Sequence, residues 1–228
     1  MKKEVIVLSL GGSLIIPDKI NYKYLKNFKK TLLKHSEKYK FIVVCGGGNI
    51  ARKYMSVLKK EGLSEELQSY AGISSTRTNA RFVSYFFNIN QKGIPHTLRT
   101  LKKQIKKQPI VFCGALNYRP EQTSDTTAAK IAKELKTRFI NLTNVSGLFD
   151  KNPQKNNDAH LIKEISWKDF HKKASKIKYS PGQHFVLDQK SSRIIMEEKI
   201  PCYIIGNEIK QLNSFLEGKE FKGTTIKG

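Results

Sequence analysis

"EVIVLSLGGSL", residues 4–14, decides the fold. Its first seven residues are a mostly apolar run rich in β-branched residues, the pattern of a strand buried on both faces. The run then breaks on two adjacent glycines. Further on, "KFIVVCGGGNIARKY" (40–54) repeats the arrangement: a strand over 40–45, three glycines, then a helical pattern from Asn49. Strands covered on both faces belong to parallel sheets, and parallel neighbours need crossover connections, usually helical.

The remainder of the chain supplies those crossovers. Residues 21–38 place Leu25, Phe28 and Leu32 at helical spacing, and 64–88 read as mostly helical. "QPIVFC" (108–113) is another buried strand, followed by the polar loop "GALNYRPEQTS" (114–124). A helix from Asp125 carries Ala128, Ile131, Ala132 and Leu135 on one stripe; "RFINL" (138–142) follows as a strand, and 143–158 is rich in turn formers. Helices near 166–173 and 186–198, the strand "PCYIIG" (201–206) and "GTTIK" (223–227), expected to close a sheet edge, complete the pass. Repeated β-α-β units with right-handed crossovers predict an α/β protein, a mostly parallel sheet with helices on both faces. There is no internal repeat and no low-complexity linker.

Composition agrees. The chain has 228 residues, 39% hydrophobic and 27% charged, which is globular and long enough to bury a core. No apolar run approaches the ~20 residues of a membrane span. The start "MKKEVIVLSL" resembles a signal peptide only superficially, because Glu4 interrupts it and no small-residue cleavage site follows. Cys45, Cys113 and Cys202 are odd in number, widely spaced and set in or beside apolar runs, so buried free thiols of a reducing cytoplasm are expected. The net charge is +23. Such a field attracts polyanions, yet the lysines are spread along the chain and no nucleic-acid module is present. Solvated lysine faces are expected, with nucleic acid an unlikely partner and anion steering to a small-molecule site a further role.

In open α/β sheets ligands gather at the carboxyl ends of the strands, where both glycine clusters fall. Glycine lets peptide N–H groups converge on a phosphate, and a helix beginning near Asn49 adds its positive end. On that expectation a side chain at Gly47 would stand where phosphate must sit. Rival motifs are absent: there is no P-loop, "GGGN" does not fit the dinucleotide fingerprint, and no serine-hydrolase elbow occurs. His35, His96, His160, His171 and His184 show no metal-ligand spacing. Residue by residue, ordinary readings stay open. Ser124-Asp125 fits a helix cap, Thr143-Asn144 and Asn152-Pro153 fit turns, Arg52 and Arg193 fit surface charges, and Asp188 fits an N-terminal cap.

"LSLGGSL", "VVCGGGNIARKY", "TSDTTAAKIAKEL", "NLTNVSGLFDKNP" and "HFVLDQKSSRII" occur in the order seen in the amino acid kinase superfamily, and the chain most resembles its archaeal-type UMP kinases over its whole length. The resemblance implies a three-layer αβα sandwich in one domain. An acceptor-binding lobe would cover about residues 1–140 and an ATP-binding lobe about 141–228. It implies transfer of phosphate from ATP to UMP with Mg²⁺, and assembly as a homohexamer. On the same basis Gly12 and Ser13 would touch the ATP phosphates, Gly47 the acceptor phosphate and Gly48 the transferring group. Arg52 would supply positive charge; Thr123, Ser124 and Ser69 would meet UMP. Asp125 would organise the cationic centre, with Gly12 and Arg52 beside it in the chemistry. Thr143, Asn144, Phe149 and Asn152 would line the adenosine end; no residue is assigned to metal.

The chain departs from the family pattern in places. Ser9 stands where many members carry lysine, shifting neutralisation to Mg²⁺, Arg52 and Lys190 or Arg193. Ser69 replaces an aspartate that grips the acceptor ribose, and the loop 114–124 is longer. Tyr118, Arg119 or Gln122 would then share ribose recognition, and Arg77 would meet the acceptor phosphate or face solvent. Asn152 replaces an aspartate and Phe149 a tyrosine. Alternatives are a kinase of the same fold for another small phosphate or carboxylate, a nucleotide- or oxoanion-binding protein without turnover, and a nucleic-acid regulator.

Overall fold

The apolar run at the start forms β1 (Glu4–Leu10), buried from Ile6 onward. In the computed structural model, which describes residues 3–89, 93–118, 123–153, 155–176 and 186–228, it is an inner strand, third from one edge, of a seven-stranded sheet. Its partners are β2 (Tyr39–Cys45), β3 (Ile110–Cys113), β4 (Phe139–Leu142), β5 (Glu164–Ile165), β6 (Cys202–Ile205) and β7 (Gly223–Ile226). The order is β3-β2-β1-β4-β6-β7-β5, parallel throughout except for the antiparallel β6–β7 pair.

The helices are α1 (Gly12–Ile15), α2 (Tyr22–His35), α3 (Gly48–Lys60), α4 (Glu65–Phe86), α5 (Leu98–Lys107), α6 (Ser124–Leu135), α7 (Trp167–Ser175), α8 (Gln189–Glu197) and α9 (Ile209–Leu216). The chain leaves β1 toward β2 and β3, then returns past β1 to β4 and β6. Right-handed crossovers therefore put the outward helices on one face and α6, α7 and α8, which pack together, on the other. The three-layer αβα arrangement follows. Leu25, Phe28 and Leu32 of α2 are fully buried, as their spacing demands, and so are Ala128 and Ala132 of α6.

Two expectations change. The C-terminal strand does not close the sheet: β7 lies between β6 and the two-residue edge strand β5. The cap of α6 is Thr123 rather than Ser124, its hydroxyl accepting from the Asp125 and Thr126 amides at 3.1 and 3.3 Å. The lysine-rich 98–107 segment is a helix whose Leu101 and Ile105 are buried, so its lysines are the solvated face of an amphipathic element. Cys45, Cys113 and Cys202 are buried free thiols. Among the described residues no helix is long and apolar enough to cross a membrane.

The register sets the site. Leu10 pairs with Cys45 on one side and Leu142 on the other, so β1, β2 and β4 end level. The connections from β2 and β4 depart in opposite directions from β1. This is the switch point at which open α/β sheets leave a crevice.

Candidate active site

Both glycine turns stand at that crevice and touch each other. A Cβ placed on Gly12 would lie 2.0 Å from the Gly48 nitrogen, and one on Gly46 would lie 2.5 Å from the Gly12 nitrogen. Gly48 adopts φ +67°, and a Cβ there would meet the Gly12 carbonyl oxygen at 2.7 Å. Bare backbone is thus required first because turn packs on turn. A Cβ on Gly47 would strike the Ala51 Cβ at 2.5 Å, inside α3. What remains for an anion is the amides. Gly12 and Gly48 open helices and Gly47 caps one, so their N–H groups and that of Ser13 lack intrahelical acceptors. No acceptor among the described residues takes them. All four residues line one cavity of about 830 Å³. The buried Asn79 of α4 donates to the Gly46 carbonyl at 2.8 Å and so fixes the peptide leading into Gly47.

The start of α6 forms the floor. Asp125 is half-buried at the cavity wall, and Ser9 of β1 donates to its Oδ1 at 2.6 Å. Burial, then the neighbouring Asp188 carboxylate, push Asp125 up to about 7, while the Ser9 hydrogen bond pulls the other way. Asp188 is the cap of α8 that its position suggested, accepting from the Ser191 amide at 2.8 Å. It also accepts from the hydroxyls of Thr123 and Thr126, tying α8 to α6, and it still borders the cavity. Asn141 on β4 donates to the Val186 carbonyl and holds the approach to α8 against the sheet.

The thirteen residues that the resemblance assigned to catalysis and the two substrates line this cavity: Gly12, Ser13, Gly47, Gly48, Arg52, Ser69, Thr123, Ser124, Asp125, Thr143, Asn144, Phe149 and Asn152. Its cationic lining side chains among the described residues are Arg52, Lys151 and Lys155; Lys190 and Arg193 are exposed on α8 and do not line it. Arg77 is half-buried and does not border the cavity. Its guanidinium donates to the carbonyls of Ala115, at 3.1 Å, and Leu116, while the Thr76 hydroxyl accepts from the Ala115 amide at 3.0 Å. The loop after β3 is thereby clamped to α4, and Tyr118 lies against Tyr70 with ring centroids 5.0 Å apart. Arg119, Gln122 and His184 lie outside the described residues. Met55, Gly72, Ile73, Thr76 and Ala115 also line the α4 end. Being small or apolar, they carry no motif that could have marked them.

One end of the cavity is therefore walled by residues 143–153, the other by α4 and the loop after β3, with the paired turns and Asp125 between them. A family model described as "Amino acid kinase family" matches residues 4–206. The chain belongs to the amino acid kinase family. This amino acid kinase is similar to a uridylate kinase of Thermoplasma volcanium, 32% identical over 225 residues that cover 98% of this chain and 97% of the relative. It is similarly close to a uridylate kinase of Thermococcus kodakarensis, 31% identical over 228 residues, 97% of this chain and 98% of the relative. The crystal structure of uridylate kinase from Archaeoglobus fulgidus matches this amino acid kinase with a TM-score of 0.82 at 29% identity, covering 97% and 99% of the two chains. UMP kinase from Ureaplasma parvum, at 22% identity and a TM-score of 0.81, shares the fold.

Proposed function

We propose that this amino acid kinase transfers the γ-phosphoryl group of ATP to UMP, giving ADP and UDP for pyrimidine nucleotide synthesis. One observation carries it: the free amides of two touching turns and the half-buried Asp125 carboxylate share a cavity with two differently walled ends. Phosphoryl transfer asks mainly that two anions be held in line and their charge be offset. An oxygen of the UMP phosphate bonds to the γ-phosphorus while the bond to the bridging oxygen breaks, its electron pair leaving with ADP. In this scheme Gly12 and Ser13 hold ATP phosphates, Gly47 the UMP phosphate and Gly48 the group in transit. Arg52 offsets charge, and Asp125 organises the centre. Thr143, Asn144, Phe149 and Asn152 take the adenosine end, while Ser69, Thr123 and Ser124 take UMP. The acceptor lobe then covers about residues 1–140 and the donor lobe about 141–228.

Among the described residues no three metal-ligating side chains stand together. Mg²⁺ would arrive with ATP, since the ion keeps water and phosphate oxygens as ligands and needs no protein cage. When bound, it offsets charge on the β- and γ-phosphates. A homo-oligomer, by resemblance a hexamer, is part of the proposal. The exposed Tyr54 and Val57 of α3, Leu63 of the connection after it and Leu67 of α4 give apolar surface for contact between copies. A cytoplasmic setting accords with the three unpaired thiols.

Ser69 favours a second reading. With a neutral hydroxyl in place of a carboxylate at the acceptor end, a different small phosphate or carboxylate acceptor suits the same machinery. A panel of nucleoside monophosphates and simple phosphates, followed by ADP release from MgATP, separates the two. UMP is expected to support the fastest turnover; turnover with another acceptor but not with UMP would overturn the assignment.

A further inference from the structure

Ser9 has no part in the scheme above, yet it makes the only hydrogen bond to the Asp125 carboxylate among the described residues. It sits on β1 two positions before the touching glycine turns, is fully buried, and donates to Asp125 Oδ1 at 2.6 Å. The other surroundings of Asp125 disfavour charge. Asp188 faces it from the start of α8, and burial first, then Asp125, raises the Cys202 thiol of β6. At this end β1 and β4 contribute no ionisable side chain, β2 contributes only the buried Cys45, and Arg52 of α3 borders the same cavity. The second carboxylate oxygen has no protein donor among the described residues, and Asp125 lines the cavity.

We propose that Ser9 is the positioning residue for Asp125, holding one carboxylate oxygen so that the group stays ionised with its other oxygen left for the reacting phosphates. The proposal rests on the kinase function above for the role of Asp125, but the Ser9–Asp125 coupling exists independently of which acceptor is used. Burial alone raises the proton affinity of a carboxylate, and a donor to the charged form opposes that rise.

Ser9→Ala deletes one buried oxygen and leaves the strand intact. UMP-dependent ADP release is to be followed from about pH 5 to about pH 9 at saturating substrates, alongside ¹³C NMR titration of the Asp125 carboxyl in the substrate-free protein. The acid limb of turnover and the NMR midpoint are both expected to move up by roughly one pH unit in Ser9→Ala, with turnover largely retained at the alkaline end. Ser9→Cys, nearly the same shape but a weak donor, should fall between the two. Superimposable titrations, or a loss of turnover by one factor at every pH with an unmoved NMR midpoint, would overturn the proposal. A wild-type protein that turns over no UMP would instead overturn the function, and the NMR midpoints would still decide the role of Ser9.

Discussion

Asp125 carries opposite demands on stability and on chemistry. Its folded-state pKa, about 7, lies above the ordinary 3.8. A carboxyl shifted upward binds its proton more tightly in the folded state, so its ionisation costs stability. That cost is absent below about pH 4, grows through the interval, and is complete above about pH 7. Asp125→Asn removes it. Thermal denaturation should show the variant more stable than wild type at about pH 8, by roughly 2–4 kcal/mol, with the gap closing toward about pH 4. Turnover of the same variant should fall by roughly 10²-fold or more, the usual loss when a charge-organising group is removed from a phosphoryl-transfer centre. A variant no more stable than wild type at any pH would mean that Asp125 is not held at a cost.

At the scale of elements, the glycine turns combine two effects that a pair of substitutions separates. Gly48 and Gly62 both sit at positive φ, +67° and +70°. A Cβ on Gly62 meets nothing within 4 Å, whereas on Gly48 it meets the facing turn. Gly62→Ala should cost only backbone strain, roughly 1–2 kcal/mol, in urea unfolding. Gly48→Ala should cost about 2 kcal/mol more, because the neighbour it strikes is backbone and cannot rotate away. Equal costs would show that the turns are not pressed together. The elements themselves were legible where burial is two-sided: 4–10, 39–45, 110–113 and 139–142 announce themselves as mainly apolar runs, interrupted only at Glu4, Ser9, Lys40 and Asn141. β5 has two residues and α1 four, too short for any period to show, and the lysines of α5 hide a two-residue apolar stripe.

For the whole molecule, the cavity's main positions were legible because each lies in a local motif: glycines after strands, Thr123–Asp125 at a helix start, Thr143–Asn152 in a turn-rich stretch. What fixes them in place was not. Ser9 reaches Asp125 across 116 positions and Asn79 reaches Gly46 across 33, contacts that exist only once the sheet has assembled. Arg77, a free charge in sequence, is spent on clamping the loop after β3 for the same reason. Part of the net charge of +23 lies on the outer face of α5, where Lys103, Lys106 and Lys107 are exposed.

The central claim is that the touching turns receive the phosphates of both substrates. A crystal structure with UMP and a non-hydrolysable ATP analogue bound together tests it most directly. Phosphate oxygens of both nucleotides are expected about 3 Å from the amides of Gly12, Ser13, Gly47 and Gly48; nucleotides bound elsewhere, with those four amides facing only water, would contradict it.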